Sequence, residues 1–167
     1  MLPFVRKGIA ESKAGNPQGT IVNFAPDRSG QTVVEFFNYE QARCSEGKVI
    51  ETSELAKVKQ FEGISWLCFF GLGDVEMLRQ TAETYGINPL SVEDILNPDH
   101  RPKLEVFDNY LLIIVKMIDI SDEGRLTSEQ VSFVVGENYV LTFQERPGDV
   151  LPWSVPLALG TGARDPF

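Results

Sequence analysis

Short apolar segments rich in β-branched and aromatic residues recur along this chain between polar turns, and this pattern predicts a β-rich fold. One of them, 64–70, is almost entirely apolar, which is typical of a strand buried on both faces of a sheet. We expect 20–24 and 32–39 to form a hairpin or meander, and the last two segments to pair with each other. The predicted strands are 20–24, 32–39, 64–70, 104–107, 110–118, 129–135 and 139–143.

The clearest helical pattern covers about 74–85. Asp74 can accept hydrogen bonds from the free amides at the start of this helix, and its charge suits the positive end of the helix dipole. Gly86 suits the left-handed residue that ends a helix. The apolar stripe that we expect to be buried consists of Val75, Leu78, Ala82 and Tyr85.

A second helix is predicted over about 89–96, because Asn88 is a good N-cap and Pro89 suits the first helical position. Its buried face should contain Val92, Ile95 and Leu96. The polar stretch 40–62 is ambiguous, although a short helix over 53–60 fits part of it.

Strands, then helices, then strands predict an α/β fold with a mixed sheet and helices packed on it. A length of 167 residues fits one domain, which we place at 20–150. We expect 1–19 to be a poorly ordered N-terminal segment and 151–167 to be an atypical tail, disordered or altered. The longest apolar run, 111–115, is much shorter than the ~18 residues of a membrane span, so we expect the chain as given to be soluble.

The net charge of −9 argues against a nucleic-acid partner, because phosphates would be repelled. The sequence gives little support for an enzyme, because His100 is the one histidine and no nucleophile elbow or Cys–His arrangement occurs. The glycines at 71 and 73 do not make a dinucleotide site, since Glu76 occupies the third glycine position of that fingerprint. Cys44 and Cys68 have no metal-ligand spacing. We therefore expect no enzymatic activity.

Glu93 and Asp94 form an acidic pair on the second predicted helix. Consecutive helical residues diverge by roughly 100°, so they cannot form a close carboxylate dyad. By themselves they would be read as a solvated helix face. The basic residues Arg101 and Lys103 are expected to tie the following loop to nearby carboxylates or carbonyls, and His100 is read as a polar loop residue.

The stretch N-P-L-S-V-E-D-I-L-N-P-D-H-R-P-K, residues 88–103, changes this interpretation. It resembles the segment of CorA-type magnesium transporters that usually reads H-P-L-x-x-E-D, followed by a loop and R-P-K. The resemblance extends over about 66–150, whereas 20–65 fit only in general character. Asn88 stands where the family usually has histidine, which leaves helix capping intact.

The resemblance implies a fold, a location and a site. The fold is the α/β/α sandwich of the family's cytoplasmic domain. In the family, a long helix joins this domain to two spans of the inner membrane, and the transporter is a homopentamer. The sensor aspartate of the family matches Asp94, with Glu93 as a neighbouring acidic helper. The implied function is a divalent-cation-sensing domain that itself lacks the pore, and the alternative is a stand-alone acidic α/β enzyme or a small interaction domain. Mg²⁺ is the implied regulatory and transported ion, with Co²⁺, Ni²⁺ or Zn²⁺ as alternatives, and the oligomeric state of the chain by itself stays open.

Overall fold

The computed structural model describes residues 32–120 and 126–145. The strands are β1 (Val33–Tyr39), β2 (Cys44–Val49), β3 (Ile64–Phe70), β4 (Lys103–Val106), β5 (Leu111–Ile120), β6 (Leu126–Val135) and β7 (Tyr139–Gln144). The helices are α1 (Leu55–Lys59), which follows a 3-10 turn at Thr52–Glu54, α2 (Val75–Tyr85) and α3 (Pro89–Leu96). The strand predicted at 20–24, the end segments 1–19 and 151–167, and the turn at 121–125 lie outside the described residues.

The strands form one mixed sheet in the order β2-β1-β3-β7-β6-β5-β4. The central neighbours β3 and β7 run parallel, and the other neighbours run antiparallel. The predicted pairing of the last two strands is confirmed, and so is the predicted α/β class with a mixed sheet.

Strand β2 was not predicted, because its sequence, C-S-E-G-K-V, is polar. It lies at the edge of the sheet and pairs with β1, and most of its side chains are exposed. An edge strand needs few apolar residues, since its position is secured by backbone hydrogen bonds to one neighbour. The hydrophobic pattern therefore did not indicate a strand at 44–49.

The helices pack on one face of the sheet, and the strand register identifies that face. Val34, Phe69 and Phe143 are directly paired across neighbouring strands, and all three are buried in the main core. The same core contains residues of α1, α2 and α3, so these helices cover this side. The helical members are Leu55, Val58, Met77, Leu78, Ala82, Tyr85, Val92, Ile95 and Leu96.

The two predicted apolar stripes are buried, with one exception. Leu78, Ala82 and the whole α3 stripe have exposed fractions of 6% or less, but Val75 is only half-buried. The buried face of α2 is centred on Met77, Leu78, Thr81, Ala82 and Tyr85. Val75 occupies the first position of the helix, at the margin of this face, so the prediction for Val75 was wrong.

All three predicted helix caps are present. The side chain of Asp74 accepts a hydrogen bond from the amide of Met77 at 2.9 Å, and Gly86 ends α2 with φ of 68°. Asn88 caps α3 through its side-chain oxygen, which accepts from the amide of Leu90 at 2.9 Å. The caps leave only two residues, Gly86 and Ile87, between the end of α2 and the cap of α3, which fixes where α3 begins.

Candidate functional site

Both ends of α3 are fastened to the sheet. At its start, the hydroxyl of Tyr110 accepts from the amide of Asn88 at 3.1 Å and shares a 2.8 Å hydrogen bond with the Ser91 hydroxyl. At its end, the amide nitrogen of the Gln130 side chain donates to the carbonyls of Asp94 at 3.2 Å and Ile95 at 3.0 Å. The predicted acidic pair therefore stands on a helix whose position is fixed.

Gln130 is itself held in place on β6. Its side chain is buried, with 2% of its surface exposed, and its backbone amide donates to the Glu145 carboxylate at 3.0 Å. Its side-chain oxygen accepts from the Lys116 ammonium at 3.2 Å, and the same ammonium also donates to the carbonyl of Pro98. This partly buried network connects β5 and β6 to the end of α3 and to the loop after it.

The carboxylate of Asp94 lies between two basic side chains. Its Oδ2 accepts from the Lys103 ammonium at 2.6 Å, and its Oδ1 lies 3.0 Å from Nε2 of His100. The side chains of Asp94, His100 and Lys103 are 22%, 24% and 23% exposed, so the cluster is partly shielded from water and still accessible. Shielding strengthens these pairs relative to fully exposed ones.

The second nitrogen of the His100 ring also faces an acceptor, because Nδ1 lies 2.8 Å from the carbonyl of Arg101. A carbonyl can only accept, so the hydrogen of the ring is required at Nδ1. Each nitrogen of the His100 ring thus lies within hydrogen-bond distance of an oxygen acceptor.

Lys103 has a second carboxylate partner, Glu105, whose Oε2 lies 2.7 Å from the ammonium. Partial burial pulls the pKa of Lys103 down, but the hydrogen bonds to Asp94 and Glu105 outweigh burial and leave this pKa raised. Lys103 is therefore a fixed positive charge at neutral pH, shared between two carboxylates.

Glu93, the other predicted site residue, is half-buried one position earlier on α3. Its side chain leaves the helix roughly 100° away from that of Asp94. The two side chains therefore do not form a close pair, and the helper role that the resemblance implies for Glu93 stays a prediction.

The expectation that Lys103 ties the loop to a carboxylate is confirmed by its contacts with Asp94 and Glu105. The interpretation of His100 as a mere loop residue was incomplete, because its ring contacts Asp94 directly. Sequence reasoning also missed Gln130, which lies 36 positions after Asp94. Its sequence surroundings gave no signal, because Gln130 ends the polar run 127–130 of β6.

The Asp94 carboxylate could serve as one ligand of a divalent cation. Within residues 32–120 and 126–145 there is no group of three or more His, Cys, Asp or Glu side chains that could enclose a metal. The carboxylate of Asp94 nevertheless keeps acceptor capacity, because its two oxygens together offer about four lone-pair positions. Mg²⁺ keeps several of its waters and is often held by only one or two carboxylates, so a single placed carboxylate fits part of its coordination.

The side chains whose pKa values are shifted most strongly lie elsewhere, in the core. Burial, followed by the charge of Glu35, raises the pKa of Cys68 to about 12. Burial also raises the pKa of Tyr85, whose ring packs edge-on against Tyr139 with centroids 4.8 Å apart. Both groups are kept neutral by the core, and Cys68 is the buried, inert thiol that its apolar surroundings predicted.

Comparison with known proteins decides the family. Residues 61–154, more than half of the chain, match the family described as "CorA-like Mg2+ transporter protein". The matched segment contains α3, the loop after it and β4, and therefore the whole Asp94 cluster. The chain belongs to this family. The predicted resemblance is confirmed, and transport, not catalysis, is what the family name describes.

A curated relative extends the match towards the N-terminus. The cobalt/magnesium transport protein CorA of Thermotoga maritima is 35% identical over 140 residues, which cover 83% of this chain and 40% of the relative. The CorA-like chain thus spans well under half the length of that relative. In the described residues, no helix is long and apolar enough to cross a membrane.

Solved structures agree with the fold. The cytoplasmic domain of ZntB from Vibrio parahaemolyticus aligns with a TM-score of 0.53 and 11% identity, covering 70% of this chain and 45% of that one. The full-length CmaX protein aligns with a TM-score of 0.53 and 13% identity, covering 71% of this chain and 37% of that one. At such low identity the likeness concerns the fold alone, and it matches the mixed sheet and its helices.

Proposed function

We propose that this chain is the divalent-cation-sensing domain of a CorA-like transporter, with Asp94 as the principal ligand of the regulatory ion. The observation that carries the proposal is the placement of the Asp94 carboxylate. It is partly exposed, it stands on a helix fixed at both ends, and its two oxygens pair with Lys103 and His100. A carboxylate fixed in this way can serve as a ligand for a cation that displaces these partners.

Asp94 would act as half of a site that a second copy of the chain completes. In the proposed parent, a homopentamer in the inner membrane with this domain on the cytoplasmic side, Glu93 adds negative charge nearby. A bound Mg²⁺ would supply the positive charge that holds neighbouring domains together. Because the chain provides one carboxylate, its own affinity should be weak, in the range of about 10⁻³ M or poorer.

The name of the Thermotoga maritima relative favours magnesium and cobalt as the transported ions of the parent, with nickel and zinc as alternatives. Regulation requires the ion to bind one state of the protein more tightly than the other, since equal affinity for both shifts nothing. We also propose that the CorA-like domain spans residues 20–150 of this chain.

The test is ion uptake by the full-length parent carrying Asp94→Asn. We expect the magnesium concentration that gives half-inhibition to rise at least about tenfold, which corresponds to ~1.4 kcal/mol of lost preference for the closed state. Asp108→Asn is the matched control, because Asp108 is exposed in the turn after β4 and the charge change is the same. Inhibition of Asp94→Asn over the wild-type range would show that Asp94 is not the sensor.

A further inference from the structure

Lys103 and Glu105 lie two positions apart on β4 and therefore on the same face of the sheet. Their register partners on β5, Ile114 and Leu112, are both in the main core, so this face is the one covered by the helices. The ammonium of Lys103 lies between the carboxylates of Asp94 and Glu105, at 2.6 Å and 2.7 Å. One cation is thus shared by two acceptors that are nearly equidistant.

We propose that Lys103 is a built-in competitor of the divalent cation at Asp94. Without the ion, the ammonium neutralises Asp94, and when an ion binds, Lys103 retains Glu105 as its partner. This inference rests on the proposed function, because it takes Asp94 to be the ligand. It goes further in assigning to Lys103 and Glu105 the control of affinity at that ligand.

The competition follows from charge and space. The ammonium lies 2.6 Å from Oδ2 of Asp94, which is the distance of a strong charge-assisted hydrogen bond. A divalent cation at that oxygen would stand within a few ångströms of the ammonium and would repel it. The ion must therefore displace Lys103 before it gains the full attraction of the carboxylate.

Glu105 makes this displacement easier. Its side chain is 49% exposed, whereas Lys103 is 23% exposed, so Glu105 can hold the ammonium on the more solvated side of the cluster. Lys103 would then lose one partner and keep the other, and no charge would be left buried and unpaired. Among the described residues, the ring of His100 contacts one carboxylate, Asp94, and its other contact is the carbonyl of Arg101.

The experiment is a MgCl₂ titration of the 167-residue chain, followed by the NMR shifts of the α3 amides, with NaCl at matched ionic strength as the salt control. We expect Lys103→Met to lower the dissociation constant about fivefold, equivalent to ~1 kcal/mol, near the upper value for a single exposed ion pair. Lys103→Gln should do the same. Lys48→Met is the matched control, since Lys48 pairs with Glu35 at 3.2 Å at the opposite edge of the sheet.

Glu105→Gln tests the role of the second partner. In the wild-type background it should weaken Mg²⁺ binding, because Lys103 then keeps Asp94 as its one carboxylate partner among the residues that the structure describes. In the Lys103→Met background the same change should have a clearly smaller effect, leaving the loss of one nearby charge. This non-additivity is the signature of coupling between Glu105 and Lys103.

The outcomes separate the two proposals. If Asp94→Asn abolishes the shifts while Lys103→Met titrates like Lys48→Met, Asp94 remains the ligand and the competitor role is overturned. If Asp94→Asn titrates like wild type, the proposed function fails first. Thermal unfolding of every variant identifies any change that arises from lost structure, and Lys103 variants should fold because β4 is an edge strand.

Discussion

The buried side chain of Gln130 should contribute more to the free energy of unfolding of this domain than any polar side chain on the surface. The substitution Gln130→Met measures this contribution. The substitution keeps the length of the side chain and removes its amide. The carbonyl of Ile95 then loses a donor at 3.0 Å, and Lys116 loses an acceptor at 3.2 Å. Asp94 is less affected, because its carbonyl also accepts from the amide of Asn97 at 3.2 Å.

The expected cost follows from these partners. A buried carbonyl left without its donor costs about 1–3 kcal/mol, and a hydrogen bond to a charged group contributes about 1.5 kcal/mol or more. Lys116 keeps the carbonyl of Pro98 as an acceptor, so only part of the second amount is lost. We expect Gln130→Met to lower the free energy of unfolding by about 2–4 kcal/mol.

Urea unfolding followed by circular dichroism measures this change. With a slope of about 2 kcal/mol per molar urea, the midpoint should fall by about 1–2 M. Gln60→Met is the matched control, because Gln60 is exposed and should change stability by less than ~0.5 kcal/mol. Equal midpoints for the two variants would refute the conclusion that Gln130 fastens α3 to the sheet.

Three further predictions concern the backbone and the core thiol. Gly63 and Gly86 both have positive φ, but a Cβ at Gly63 would lie 2.1 Å from the carbonyl oxygen of Tyr39, whereas one at Gly86 would lie 3.3 Å from the side chain of Asn109. Gly63→Ala should therefore destabilise more in urea unfolding than Gly86→Ala, and equal losses would contradict this reading. Burial raises the pKa of Cys68 to about 12, so a thiol reagent at pH 8 should label the exposed Cys44 in the folded protein and reach Cys68 only on unfolding. The pKa of Cys68 is higher in the folded protein than in the unfolded chain. The contribution of Cys68 to the free energy of unfolding is therefore full below about pH 8.5 and is lost as the pH rises towards about 12. Replacing Cys68 with Ala should make the free energy of unfolding, measured in urea, fall less steeply over this pH range.

Local signals in the sequence determined the elements around the site. Asp74 and Gly86 mark the ends of α2, and Asn88 with Pro89 marks the start of α3, because capping depends on residues that are neighbours in the chain. The apolar strands followed from the same kind of local pattern. Strand β2 is stabilised by its pairing with β1 and contains few apolar residues, so the hydrophobic pattern did not predict it.

The acidic pair, and the family to which it belongs, could also be read from the sequence, since they depend on residue identity over the short stretch 88–103. What surrounds Asp94 could not. Lys103 reaches Asp94 because the loop after α3 turns the chain back into β4, and Gln130 reaches the same turn of helix from β6, 36 positions away. Sequence specifies which charges exist, but the distances between charges on separate elements arise only when those elements pack, and it was packing that brought Lys103 of β4 to Asp94 of α3.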